Sequence, residues 1–203
     1  MTDAPRGRSV LWRLLDGIGL EHCRLTSNQK EHVLTGVVLT TADGTPVTID
    51  YFVRCDRFWH TREVNVLVTG ADPFTSVGVL RVTSDGDGSW WRITDNGTDE
   101  AEVSLSAISG CIDIDLAFTP ATNTLPIRRH GLVEGAKIQV SAAWVQFPSL
   151  EVAVLNQNYH RIGPGRYRYE SPENDFVALL DVDELGLVQS YEGLWERAAE
   201  ANM

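Results

Sequence analysis

Thr45-Pro46-Val47-Thr48-Ile49-Asp50-Tyr51-Phe52-Val53 alternates apolar and polar side chains and places Val47, Ile49, Tyr51 and Val53 on one face. A period of two marks a strand with one buried face. Upstream, Asp43-Gly44 separates this run from Val37-Val38-Leu39. An Asp-Gly pair between two apolar runs favours a hairpin, because the tight type I′ turn needs residues that tolerate positive φ. The rhythm continues outward in Val64, Val66 and Val68, then in Ile112, Ile114 and Leu116, then in Ile138, Val140, Ala142 and Trp144. Asp85-Gly86-Asp87-Gly88 punctuates residues 79–93, and Asp95-Asn96-Gly97 leads on toward residues 101–105.

Short strands joined by tight turns predict a mainly β fold, an antiparallel meander of roughly ten strands. Twist accumulates across such a sheet, which must close, split or curl. The expected architecture is a curved antiparallel sheet forming a partly open barrel, with a cavity on its concave side. Residues 191–200 are expected to form a short C-terminal helix, and residues 121–128 a single helical turn. The chain shows no βαβ rhythm and no linker-like shift in composition, so a single domain over residues 1–203 is expected.

Composition narrows the function. A formal charge of -11 argues against nucleic acid, whose phosphates require a basic footprint, and against charge-driven docking on an anionic membrane. No apolar run approaches the ~20 residues of a transmembrane span. The apolar residues 10–15 are broken by Arg13 and followed by Asp16, unlike a secretory core. Cys23, Cys55 and Cys111 are an odd set that suggests no disulfide framework. These features point to a cytoplasmic protein with reduced thiols. Asn96-Gly97-Thr98 matches a glycosylation sequon, but sits in a turn of a chain with no export signal.

Four stretches carry polar and aromatic groups that could do chemistry. Residues 51–63 end a strand with Trp59, a stacking plate, and Arg62, a planar donor fork for carboxylate, phosphate or sugar hydroxyl. The alternative is an ordinary corner with Trp59 in the core. Asp113 and Asp115 lie two apart and so share a strand face. They could form a glycosidase-like pair, contact a ligand, or belong to an ion-pair network with Arg62, Arg128 or Arg129. Residues 120–129 bracket Thr122, Asn123 and Thr124 between Pro120 and Pro126 and end in Arg128-Arg129, two cations on a pinned loop. This loop either meets a ligand or plugs one end of the sheet. Trp144, Tyr159, Tyr167 and Tyr169 either line a lipid or sugar site or fill the core. The five histidines show no metal-ligand spacing, and no nucleophile elbow, phosphate loop or dinucleotide fingerprint occurs, so no metal and no cofactor are expected. Residues 181–186 resemble a fragment of a calcium loop but read as a turn.

Taken together, Cys55-Asp56 with Trp59-His60-Thr61-Arg62, residues 112–129, Ala143-Trp144-Val145 with Phe147-Pro148, and Gln157 with Tyr159 and Tyr167-Arg168-Tyr169 resemble a bacterial family of glycolipid-binding proteins, formerly a domain of unknown function. The resemblance spans residues 50–195 and implies a curved antiparallel sheet akin to lipoprotein carriers. Three functions follow as expectations. The first is a binding module that holds an amphipathic molecule or glycolipid in the concavity of the sheet, with Trp59, Arg62, Asp113, Asp115, Asn123, Arg128, Arg129, Trp144 and Tyr159 as contacts. The second is a hydrolase acting on a sugar or ester through Asp113 and Asp115. The third is a protein-interaction domain. No oligomeric state follows from the sequence.

Overall fold

A computed structural model describes residues 6–70, 76–95, 97 and 99–203. Its strands are β1 (Arg6–Leu14), β2 (Leu20–Ser27), β3 (Glu31–Ala42), β4 (Thr45–Asp56), β5 (Thr61–Thr69), β6 (Ser76–Ser84), β7 (Trp90–Asp95) and β8 (Glu100–Ser104). There follow β9 (Asp113–Leu116), β10 (Lys137–Val145), β11 (Val152–Gly163), β12 (Arg166–Ser171), β13 (Phe176–Val182), β14 (Val188–Tyr191) and β15 (Trp195–Asn202). One helix, α1 (Thr124–His130), follows the 3-10 turn Ala121–Asn123. Alternation builds the sheet as expected: in β4, Val47, Ile49, Tyr51, Val53 and Cys55 are buried while Asp50 is exposed. The β3–β4 hairpin turns on Asp43 and Gly44, both at positive φ (49° and 80°), as the Asp-Gly pair requires.

The strands form a single 15-stranded sheet in the order β8-β7-β6-β5-β4-β3-β2-β1-β15-β14-β13-β12-β11-β10-β9. The first and last strands therefore pair at its middle, from Arg8↔Asn202 to Leu14↔Trp195. The two edges, β8 and β9, are consecutive in the chain. Residues 105–112 alone join them, so the sheet has to curl until its edges approach. The seam is specific. Gly110 N–H donates to the Gly88 carbonyl (2.8 Å) and Thr61 N–H to that of Ile112 (3.3 Å), while Leu105 N–H, donating to the Trp90 carbonyl (2.8 Å), extends the β7–β8 ladder to the start of the connection. The Trp90 indole N–H donates to the Cys111 carbonyl at 2.8 Å. The sheet is thus curved and held nearly shut without forming a closed ladder.

The concave face is apolar core, with Trp12, Leu25, Leu34, Ile49, Leu80 and Leu180 fully buried. Residues 118–127 lie against it and are themselves buried, including Leu125 and the polar Thr122, Asn123 and Thr124. They act as a plug. Glu21, on β2, is wholly buried and accepts hydrogen bonds from Tyr51 (2.5 Å) and from Thr119 of the plug (2.7 Å). Cys23, Cys55 and Cys111 are free and buried. No helix among the described residues is long and apolar enough to cross a membrane.

Three expectations are corrected. Residues 191–200 form no helix: Gly193 turns at φ 76°, and residues 195–202 make β15, paired with both β14 and β1. Two flanking ladders override the helix propensity of an Ala- and Glu-rich run. Among the described residues the strands number 15 where roughly ten were expected; β14 is only four residues long and β15 lies in the run expected to be helical. One pair, β9 with β10, is parallel. Of the sequon, Asn96 and Thr98 lie outside the described residues.

Candidate functional site

The parallel β9–β10 pairing sets Asp113 opposite Ala142 and Asp115 opposite Trp144, so these four side chains share the inner face. Asp113 is 1% exposed. Arg129, in the last turn of α1, grips it with two parallel bonds: Nε to Oδ1 at 3.2 Å and Nη2 to Oδ2 at 2.5 Å. This bidentate geometry favours arginine over lysine. Asp115 keeps some solvent contact and accepts a hydrogen bond from Gln157. Burial pushes its carboxyl up to about 6, the Gln157 bond opposes that rise, and the charge of Asp113 adds to it. Tyr159 donates to Asn123 Oδ1 at 2.8 Å and packs edge-on against Tyr169. Asp113, Asp115, Asn123, Arg129 and Tyr159 therefore meet in one polar layer between plug and sheet, with Trp144 half-buried beside it.

Trp59 and Arg128 meet at the end of the sheet. Trp59 adopts φ 69°, is buried, and stacks on His32 with centroids 3.8 Å apart and planes at 8°. The Arg128 guanidinium lies 5.6 Å from the Trp59 ring centroid, a cation–π contact. Arg62 joins neither group. It donates to the Asp85 carbonyl and packs on Gly86, so it pairs with no aspartate of the inner layer.

Arg128 also lines a cavity of about 470 Å³ at this mouth, together with Arg161, Tyr167, Val182, Asp183 and Glu184. Arg128 donates to the Glu184 carbonyl at 3.0 Å. Arg161 donates to those of Leu132 (2.6 Å) and Gly163 (3.3 Å). The two acids are already engaged. Asp183 binds Arg8 (3.0 Å) and Arg197 (2.9 Å) and accepts the Leu185 and Leu187 N–H groups, while Glu184 binds Arg8 at 2.5 Å. Among the described residues, Arg128 and Arg161 thus have no carboxylate partner, in a protein of net charge -11. Sequence reading missed Arg161; its place just before the turn-forming Gly163-Pro164-Gly165 was the one available sign. Among the described residues, no cluster of histidine, cysteine and carboxylate groups suits a metal.

Residues 9–197 match the model of a family described as "Putative glycolipid-binding". A crystal structure of a DUF1089 family protein from Pseudomonas aeruginosa is 36% identical, with a TM-score of 0.73 over 88% of this chain and 91% of that one. A β-barrel-like protein of the domain of unknown function DUF1849 from Brucella abortus superposes with a TM-score of 0.56 over 100% of both chains at 7% identity, a likeness of fold alone. No curated protein matches the chain.

Proposed function

The chain belongs to the family described as "Putative glycolipid-binding", and from that premise we propose that it binds an amphipathic molecule whose polar head enters the mouth cavity beside Arg128 and Arg161. The observation that carries this reading is the pair of arginines left without carboxylate partners. Arg128 spends part of its donor fork on one backbone carbonyl and Arg161 on two, and both keep further N–H groups for hydroxyl or phosphate oxygens. Tyr167 and Val182 supply an apolar wall for the face of a sugar ring. Core and plug fill the concavity, so the head approaches from the end of the sheet, and the inner layer around Asp113 and Tyr159 serves to fix the plug that carries Arg128. Trp59 holds the Arg128 guanidinium in place.

Native mass spectrometry of the protein purified from its own host should reveal a bound amphiphile. A lipid extract from that host should displace an apolar dye, and Arg128→Gln should weaken that displacement tenfold or more. Bare protein and an undisplaced dye would overturn the reading.

A further inference from the structure

The convex face of β2–β6 carries exposed apolar side chains among its polar ones, where alternation leads one to expect polar side chains alone. Cross-strand pairing aligns His22, Val37, Asp50, Leu67 and Val79 in one outward row. One step along the strands, Leu20, Leu39 and Thr48 form the next. Val37 and Leu67 are each 39% exposed, Leu39 52% and Val79 55%. Twist folds this surface into two adjoining hollows of about 470 and 490 Å³, the first floored by Gly36 and Val37, the second by Leu20 and Leu39. A contiguous apolar hollow on a sheet face marks a binding site. From residue 24 to residue 20 the groove runs roughly 13 Å along β2.

Its two ends differ. The second hollow, towards Ile18 and Pro46, holds no charged side chain and is mainly apolar, with Thr40, Thr41 and Thr48 among its lining. The first is bordered by Arg24, Asp50, Asn65, His22 and Arg81. Three of these are engaged: His22 with Ser9 at 2.7 Å, Arg81 with Glu100 at 2.5 Å, and Asn65, which donates to Glu63 at 3.1 Å. Arg24 and Asp50 make no side-chain hydrogen bond or ion pair among the described residues. One open donor and one open acceptor, with charges that cancel, suit an uncharged head that both donates and accepts hydrogen bonds. An anionic head would meet Asp50, and a cationic one Arg24.

We propose that this convex groove seats a single alkyl chain bearing a neutral, hydroxyl-rich head, the chain lying along Val37, Leu39 and Leu67 and the head over Arg24 and Asp50. This site is separate from the mouth cavity and does not depend on it.

Titration calorimetry with dodecyl maltoside below its micelle concentration should show binding, while maltose alone should not bind and dodecyl sulfate should bind more weakly. Leu39→Asn with Leu67→Asn should weaken dodecyl maltoside at least tenfold. Val79→Thr, which keeps the shape of an exposed side chain, should weaken it two- to threefold even if the double variant is poorly folded. Binding that survives the groove variants but falls with Arg128→Gln would overturn the proposal and place the amphiphile at the mouth. A dimer seen by light scattering, split by the groove variants without any detergent binding, would overturn it in favour of a second copy of the chain.

Discussion

Arg129 and Asp113 join plug to sheet through two charge-assisted bonds, with Asp113 almost wholly shielded from water. Removing one partner of such a pair strands a buried charge. Arg129→Met should therefore cost about 3–5 kcal/mol in urea unfolding, and adding Asp113→Leu should return much of that loss. Glu21 makes a pH-dependent contribution. Burial pushes its carboxyl up to about 8, against the hydrogen bonds from Tyr51 and Thr119 that favour the charged form. Its Oε2 has no protein partner. Between the ordinary glutamate value near 4.5 and about 8 the folded chain holds a proton that the unfolded chain has lost, so stability falls as pH rises through that window and levels off above it. Asp115 adds a fall of the same sign, from the ordinary aspartate value up to about 6. Glu21→Gln keeps both accepted bonds at Oε1 and removes the charge. It should raise the midpoint of thermal unfolding at pH 8, leave it nearly unchanged at pH 4, and flatten the profile between. At this scale the sequence offered Asp113, Asp115 and the arginines as candidates. It could not say which arginine takes which acid, because that depends on where a seven-residue helix settles against strands distant in the chain.

Strands and turns follow local rules closely, and the seam shows where those rules stop. The turn at Gly88 meets the loop at Gly110 so closely that a Cβ on Gly88 would lie 2.8 Å from the Gly110 Cα, and Gly88 holds φ 104°. Gly88→Ala combines an unfavourable backbone angle with a clash against main chain. It should cost about 1–3 kcal/mol and, in hydrogen exchange, unprotect Gly110 and Leu105 ahead of the rest of the sheet. The plug is the other decisive element. Leu125 is fully buried against the concave face, so Leu125→Ala should cost about 2–5 kcal/mol in chemical unfolding. The turn expected at residues 121–128 formed, and the alternative of a loop plugging the sheet matches the buried position of residues 118–127. Residues 191–200 went the other way, since helix propensity in a short segment is worth less than two ladders of strand pairing.

Across the molecule, β15 holds the two arms of the sheet together, pairing β14 on one side and β1 on the other. A chain ending at residue 193 would leave β1 and β14 as separate edges and bare the Trp12 indole, whose N–H donates to the Val188 carbonyl at 2.8 Å. Far-ultraviolet circular dichroism and light scattering should then report loss of the cooperative fold or aggregation through the exposed edges. The sequence by itself determined most of the strands, their tight turns and the curl, because a period of two and residues tolerant of positive φ are local properties that neighbouring residues reinforce. Only the tertiary structure decided that the ends of the chain meet in mid-sheet, that the protein's own residues fill the concavity, and that the open hollows lie at the mouth and on the convex face. Those outcomes depend on contacts between residues far apart in the chain, where no local pattern specifies the partner.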